Sequence, residues 1–179
     1  MNPPHEAARF AHASAGAPGC GALLNDTTIL SETVEIDAPQ DFVWSVLIDY
    51  ARYPEWNPYT VAVEATLELG ARVVLHLPDP AKPAETFATT EWMSVIDPPR
   101  HLQYNTGTEI PGIHAVRDQW VTDLGAGRSS YQTTDVFTGE IAQFVFDLQG
   151  AWVTAGFNAT AQALKARAEK LWADRGRQI

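Results

Sequence analysis

The sequence predicts an α+β domain in which a curved, seven-stranded antiparallel sheet wraps a long C-terminal helix. Three observations carry this prediction. From Tyr59 to Gly139 the apolar pattern has a period of two, broken by turn residues at Gly70, Pro98-Pro99 and Gly125-Ala126-Gly127. Residues 144–174 then turn helical, with Phe146, Gly150, Val153, Phe157, Ala161, Leu164, Ala168 and Leu171 on one stripe. At 179 residues and 19.6 kDa, the chain can bury about 70% of its unfolded surface, enough for a core and an internal cavity without disulfides or metal.

In chain order, residues 1–26 are rich in Ala, Gly and Pro with no sustained period, and are read as an extension with a short helix over 4–13. The domain spans 27–175 and leaves a tail at 176–179. TTILSETVEID alternates as a first strand and stops at Ala38-Pro39, where Pro39 suits the first turn of a helix over 39–50. Val43, Val46, Leu47 and Tyr50 share one face of that helix, and the two prolines of ARYPEWNPY keep a second helix short. Six strands follow: VAVEATLEL, ARVVLHL, TFATTEWMSVID, HLQYNTGTE, IHAVRDQWVTDL and RSSYQTTDVFTG, an antiparallel meander. Gly150 and Gly156 weaken the first half of the final helix, and either allow close packing or leave room for a ligand. Trp152 falls off the stripe and needs another partner.

Charge excludes several classes of partner. The net charge is −10, and five of the twelve basic residues lie in the last fifteen positions, leaving 1–164 at −13. Nucleic acid and anionic membranes both need a basic footprint, so neither is expected. The single cysteine, Cys20, cannot bridge internally, and no apolar run is long enough to span a bilayer. With no basic-then-apolar leader at the N-terminus, a cytoplasmic location is the expectation. No HExxH, paired CxxC, G-x-S-x-G or Gly-rich phosphate loop occurs, so no metal and no cofactor are expected.

VWSVLIDYARYPEWNPY, PPRHLQY, the IHAVRDQW…GAGRSSYQTTDVFTG hairpin and the terminal FNATAQALKARAEK resemble the START/birch-pollen-allergen superfamily (SRPBCC) over residues 30–172. The branch they are most similar to is the bacterial polyketide-cyclase/dehydrase and lipid-transport-like proteins. The resemblance implies a helix-grip fold with a deep, mostly apolar pocket between sheet and helix. The superfamily holds cyclases, lyases, carriers and receptors, so the fold alone does not choose a function.

Strand parity then selects pocket-lining candidates. On 113–124, Trp120 and Leu124 make the even face the expected inward one, which brings His114, Val116 and Asp118 inside. On the partner strand Tyr131, Thr133, Asp135 and Phe137 read inward. Closure around 125–127 sets Asp118 near Thr134, Asp135 near Arg117–Asp118, and Phe137 near Ala115–His114. Inward carboxylates on adjacent strands would raise each other's pKa, as a general acid near neutral pH requires. The expected catalytic set is His114, Asp118, Asp135 and Tyr131; Tyr104, Trp120, Phe137, Val116, Phe157 and Trp56 are the expected ligand contacts. Trp56 and Asn57 also read as fixing the corner after the short helices. His76 and His101 fall on the outward parity.

Two functions fit. One is a cofactor-independent acid–base enzyme of lyase, dehydratase or cyclase type, acting on a small apolar, aromatic or polyketide-like molecule. The other is a non-catalytic carrier for a lipid, quinone or aromatic metabolite, which needs only one or two polar anchors in an apolar interior. The surplus of inward titratable groups favours the enzyme. Six tryptophans and the 1–26 extension also leave room for a homodimer surface.

Overall fold

The first strand is broken in two: β1 (Thr28–Leu30) and β2 (Val34–Ile36) both pair antiparallel with the last strand. The break falls at Ser31, whose hydroxyl accepts the Thr133 N–H at 3.0 Å while its own N–H donates to Thr133 O at 2.9 Å. The computed structural model describes residues 27–82, 84–108 and 110–177. The expected 1–26 extension with its short helix lies outside the described residues.

Helix α1 (Gln40–Leu47) buries Phe42, Val43, Trp44, Val46 and Leu47, and Pro39 stands at its N-cap, one position earlier than expected. A 3₁₀ helix over Tyr50–Glu55 follows and contains Pro54. The meander comprises β3 (Ala62–Ala65), β4 (Arg72–Pro78), β5 (Thr86–Asp97), β6 (His101–Asn105), β7 (His114–Gly125) and β8 (Arg128–Thr138). Two strands are shorter than expected. After β3 the chain turns through Thr66–Ala71, with Gly70 at φ +77°. After β6 the Asn105 carboxamide accepts the Gly107 N–H at 2.8 Å, and Gly107 takes φ +59°.

The sheet runs β1-β8-β7-β6-β5-β4-β3, with β2 also on β8. Its eight strands, one more than expected, result from the split at Ser31. Helix α2 (Ala142–Arg175) crosses its concave face, and 34 residues at about 1.5 Å each make it roughly 50 Å long. Gly150, Val153, Phe157, Ala161, Leu164 and Ala168 of the anticipated stripe are buried. They pack over Val73, Leu75, Met93, Leu102, Val121 and Tyr131. Together these make the helix-grip arrangement. Polar ties fix the helix laterally: Asn158 Oδ1 accepts the Glu32 N–H at 2.7 Å, and Glu169 Oε1 accepts the Asp37 N–H at 3.0 Å. Among the described residues no helix is long and apolar enough to cross a membrane.

Candidate functional site

Cross-strand partners share a face of a sheet, and that rule assigns the inner wall. Tyr131, Thr133 and Phe137 of β8 are buried, and they stand opposite Val121, Gln119 and Ala115 of β7; Asp135 stands opposite Arg117. The inner face of β7 is therefore the odd one: Arg117 is 5% exposed, Gln119 1% and Val121 1%. This reverses the expected parity. Leu124 is 45% exposed at the hairpin end, so its apolar character says nothing about the core.

The even residues lie on the outer wall. Asp118 Oδ1 is 2.5 Å from His101 Nε2 and accepts the Gln103 Nε2–H at 2.7 Å. The Trp120 ring stacks flat on His101 at 3.6 Å between centroids, which satisfies both rings outside the core. Ser94 Oγ extends the outer chain by donating to Gln103 Oε1 at 2.9 Å. Asp118, Trp120 and Val116, expected inside, are thus corrected to the outer face. His114 is also on the even face, at the start of β7, with Nδ1 3.0 Å from Gly107 O.

Inside, a polar group sits between sheet and helix. Gln119 donates through Nε2 to the Tyr104 hydroxyl and accepts the Tyr131 O–H at 2.9 Å, which locks both phenols. Arg117 Nε donates to Thr133 Oγ1 at 3.3 Å, and Thr133 Oγ1 donates to Asp118 O at 2.8 Å. The Arg117 guanidinium lies 4.4 Å over the Phe157 ring and 6.0 Å from the Tyr104 ring. Among the described residues no carboxylate comes within 4.0 Å of it to form an ion pair.

Two acids flank this cation. Asp135 is its direct cross-strand partner, and Glu91 of β5 faces the same interior. Asp135 Oδ1 is fully buried and has no hydrogen-bond partner. Burial, with repulsion from Glu91, pushes the Asp135 carboxyl up to about 8 against the opposing pull of Arg117. Burial raises Glu91 as well, again against Arg117. The Tyr104, Tyr131 and Tyr59 hydroxyls are all raised by burial, so they remain donors at neutral pH.

Aromatic rings close the end of the interior toward the start of α2. Trp152, the residue off the stripe, finds Tyr59 at 5.0 Å and Phe87 at 6.1 Å, and Tyr59 meets Phe157 at 5.8 Å. Gly156 makes this possible, since a Cβ there would fall 2.1 Å from Tyr59 Cδ2. Of the two roles open to the helix glycines, Gly156 serves close packing. At this end the interior is filled by side chains that touch one another. Two surface depressions lie elsewhere. One, about 330 Å³, is formed by α1 and the C-terminal part of α2 and includes Phe42, Arg52, Trp56, Arg167 and Arg175. The other, about 480 Å³, lies along Gly107–His114, at the same end of the sheet as Asp135. Trp56 therefore lines a depression remote from Asp135, while Asn57 fixes the corner by accepting the Tyr59 and Thr60 N–H groups at 3.0 and 2.9 Å.

Of the ten residues singled out from sequence, the structure brings Tyr104, Tyr131, Asp135, Phe137 and Phe157 to the inner space. His114 sits at the rim of the Gly107–His114 depression. Arg117, Glu91, Gln119 and Tyr59 were missed. The signal for Arg117 was present: the register that paired it with Asp135 also obliges it to share that residue's face. Among the described residues, no group of three or more His, Cys, Asp or Glu side chains is placed to hold a metal ion.

The chain matches the family described as polyketide cyclase / dehydrase and lipid transport over residues 27–169. No curated protein sequence matches it. Among solved structures it is similar to the Zhui aromatase/cyclase from Streptomyces sp. R1128. The TM-score is 0.65 at 26% identity, covering 80% of this chain and 93% of that one. A START superfamily protein from Mycobacterium smegmatis matches with TM-score 0.60 at 16% identity, covering 80% and 98%. Norcoclaurine synthase from Thalictrum flavum, in complex with dopamine and hydroxybenzaldehyde, matches with TM-score 0.59 at 15% identity, covering 80% and 86%. These last two likenesses concern the fold alone.

Proposed function

This chain belongs to the polyketide cyclase / dehydrase and lipid transport family, and from that membership we propose that it is a cofactor-independent acid–base enzyme of cyclase type. Its substrate is a small aromatic or polyketide-like molecule held between the sheet and α2. The observation that carries the reading is Asp135: a half-buried residue whose carboxyl Oδ1 is enclosed without a partner, on the inner wall beside Arg117. A carboxyl raised to about 8 keeps its proton at neutral pH and can give it up in a water-poor site.

In an aldol-type closure followed by dehydration, a carbonyl carbon is attacked by an enol carbon and water then leaves. In the first step Asp135 gives its proton to the carbonyl oxygen while Glu91, as the carboxylate, takes one from the attacking carbon. The proton then returns from Glu91 to Asp135 through solvent, and in the second step Glu91 takes the remaining proton of that carbon as Asp135 protonates the departing hydroxyl, which leaves as water. Tyr104, whose hydroxyl accepts from Gln119 and keeps its own proton, donates a hydrogen bond to a carbonyl oxygen of the bound chain, while Tyr131 holds the Gln119 amide in place by donating to it. Entry at the Phe87–Trp152 end requires Trp152 to leave its contact with Tyr59. His114 guards the rim, and Asp118 takes no part because it is tied to His101 and Gln103 outside.

The test is turnover of a synthetic polyketide-like 1,3-dicarbonyl chain, followed by the absorbance of the aromatic product. Asp135→Asn should cut turnover by about a hundredfold or more while substrate affinity stays within about threefold. Unchanged turnover in the variant would remove Asp135 from the mechanism. The family's lipid-transport members support a second reading, a carrier. Tight binding without turnover, together with a lipid-sized mass retained in native mass spectrometry, would favour it.

A further inference from the structure

We propose that the molecule bound in the interior presents a planar oxyanion, a carboxylate or an enolate, to the Arg117 guanidinium. The inference rests on the interior being the binding site, as the reading above holds, but it does not depend on catalysis there. A guanidinium carries five N–H donors and stays charged inside proteins. In Arg117, Nε donates to Thr133 Oγ1 and the guanidinium lies against the Tyr131 hydroxyl. The side chain is 5% exposed, and among the described residues no carboxylate pairs with it.

Among the described residues the arginines that form ion pairs do so at the surface: Arg52, Arg100, Arg128 and Arg177 are well exposed, and Arg167 is partly so. Arg117 instead rests on the Phe157 ring, a contact that compensates the charge from one side and, among the described residues, leaves the guanidinium without a carboxylate partner. Burying a cation in that state is unfavourable unless something completes it. The two acids that share its wall, Asp135 and Glu91, form no ion pair with it among the described residues. Arginine is suited to bidentate recognition of a planar oxyanion, because its fork matches that geometry. Asp135 Oδ1, also without a partner, stands on the adjacent strand to share a proton with the same group.

The experiment compares 2-naphthoate with its neutral isostere 2-naphthamide, by calorimetry on the full chain near pH 7. The carboxylate should bind at least about tenfold more tightly, and Arg117→Gln should abolish that preference while leaving naphthamide within about threefold. Arg117→Lys should retain part of it. Arg175→Gln, in the remote depression that also holds Arg52 and Arg167, should change nothing. Benzoylacetone in a parallel titration separates the sources: binding of naphthoate alone marks a carboxylate ligand, and binding of both admits an enolate. The proposal is overturned if naphthamide binds as tightly as naphthoate, if neither binds at millimolar concentration, or if the preference follows Arg175. Should Arg117→Gln fail to fold, the naphthoate-to-naphthamide ratio in the wild type and in Arg117→Lys decides. Carboxylate preference with no Asp135-dependent turnover would refute the catalytic reading alone. Asp135-dependent turnover of a neutral substrate without any carboxylate preference would refute this one alone.

Discussion

Replacing Asp135 with Asn tests the interior through stability as well as through turnover. In the folded chain this carboxyl is pushed from 3.8 up to about 8, chiefly by burial and by Glu91. The folded state therefore holds the proton more tightly than the unfolded state does. That contribution to stability is fully present below the unfolded value near 4 and is lost as pH rises through about 8, where the folded carboxyl also ionises. Inside the window the loss runs at about 1.4 kcal/mol per pH unit. Between pH 5.5 and 7.5 the wild type should therefore lose about 3 kcal/mol relative to Asp135→Asn, whose amide does not titrate. Urea unfolding of both proteins at half-unit steps from pH 5 to 9, followed by tryptophan fluorescence, measures the difference directly. Carboxylates remote from Asp135 cancel in the subtraction. The difference should rise through the window and level off above about pH 8. A flat difference would mean that Asp135 is charged and solvated at neutral pH, and the general-acid argument would fall with it.

Three further outcomes are expected. Gly156→Ala drives a methyl to 2.1 Å from Tyr59 Cδ2 and should cost about 1–3 kcal/mol in thermal unfolding; an unaltered Tm would show that Tyr59 has somewhere else to go. Ala126→Gly relieves a non-glycine residue at φ +53° in the β7–β8 turn and should stabilise the chain by up to about 1 kcal/mol, read from the shift in denaturation midpoint. Asp118→Asn weakens the outer contact to His101, so tryptophan emission should change through the stacked Trp120 ring while turnover and naphthoate affinity stay the same; a fall in turnover would return Asp118 to the site.

Most of the architecture was legible because periodicity is written residue by residue. The strands of the meander and the stripe of α2 emerge from the apolar spacing, with boundaries moved by turn chemistry at Thr66–Gly70 and Asn105–Gly107. The split of the first strand was hidden, because it depends on a side-chain hydroxyl of Ser31 bonding a strand far away in sequence. The site was only half legible. Tyr131, Asp135 and Phe137 follow from parity within one strand, but the face of β7 was chosen from Trp120 and Leu124, two apolar residues that end up outside. An outward Trp is satisfied by stacking on His101, and an outward Leu by sitting at a hairpin tip. Hydrophobicity read along one strand misplaced Arg117; the pairing between two strands places it correctly. Glu91 is hidden because TFATTEWM mixes apolar and polar residues without clean alternation, so parity does not mark its inward face.

The three-residue turn Gly125-Ala126-Gly127 thus governs more than a hairpin. All three residues have positive φ, and the ladder they start fixes which of two neighbouring residues, one cationic and one anionic, looks toward the terminal helix. Arg117 lies eight positions from Gly125, about 26 Å along an extended chain. Lengthening the turn by one residue, with the ladder slipping to match, would exchange Arg117 for Asp118 and invert the electrical sign of the chamber without altering a single residue in it. Remodelling selectivity in this scaffold can therefore start at its far tip.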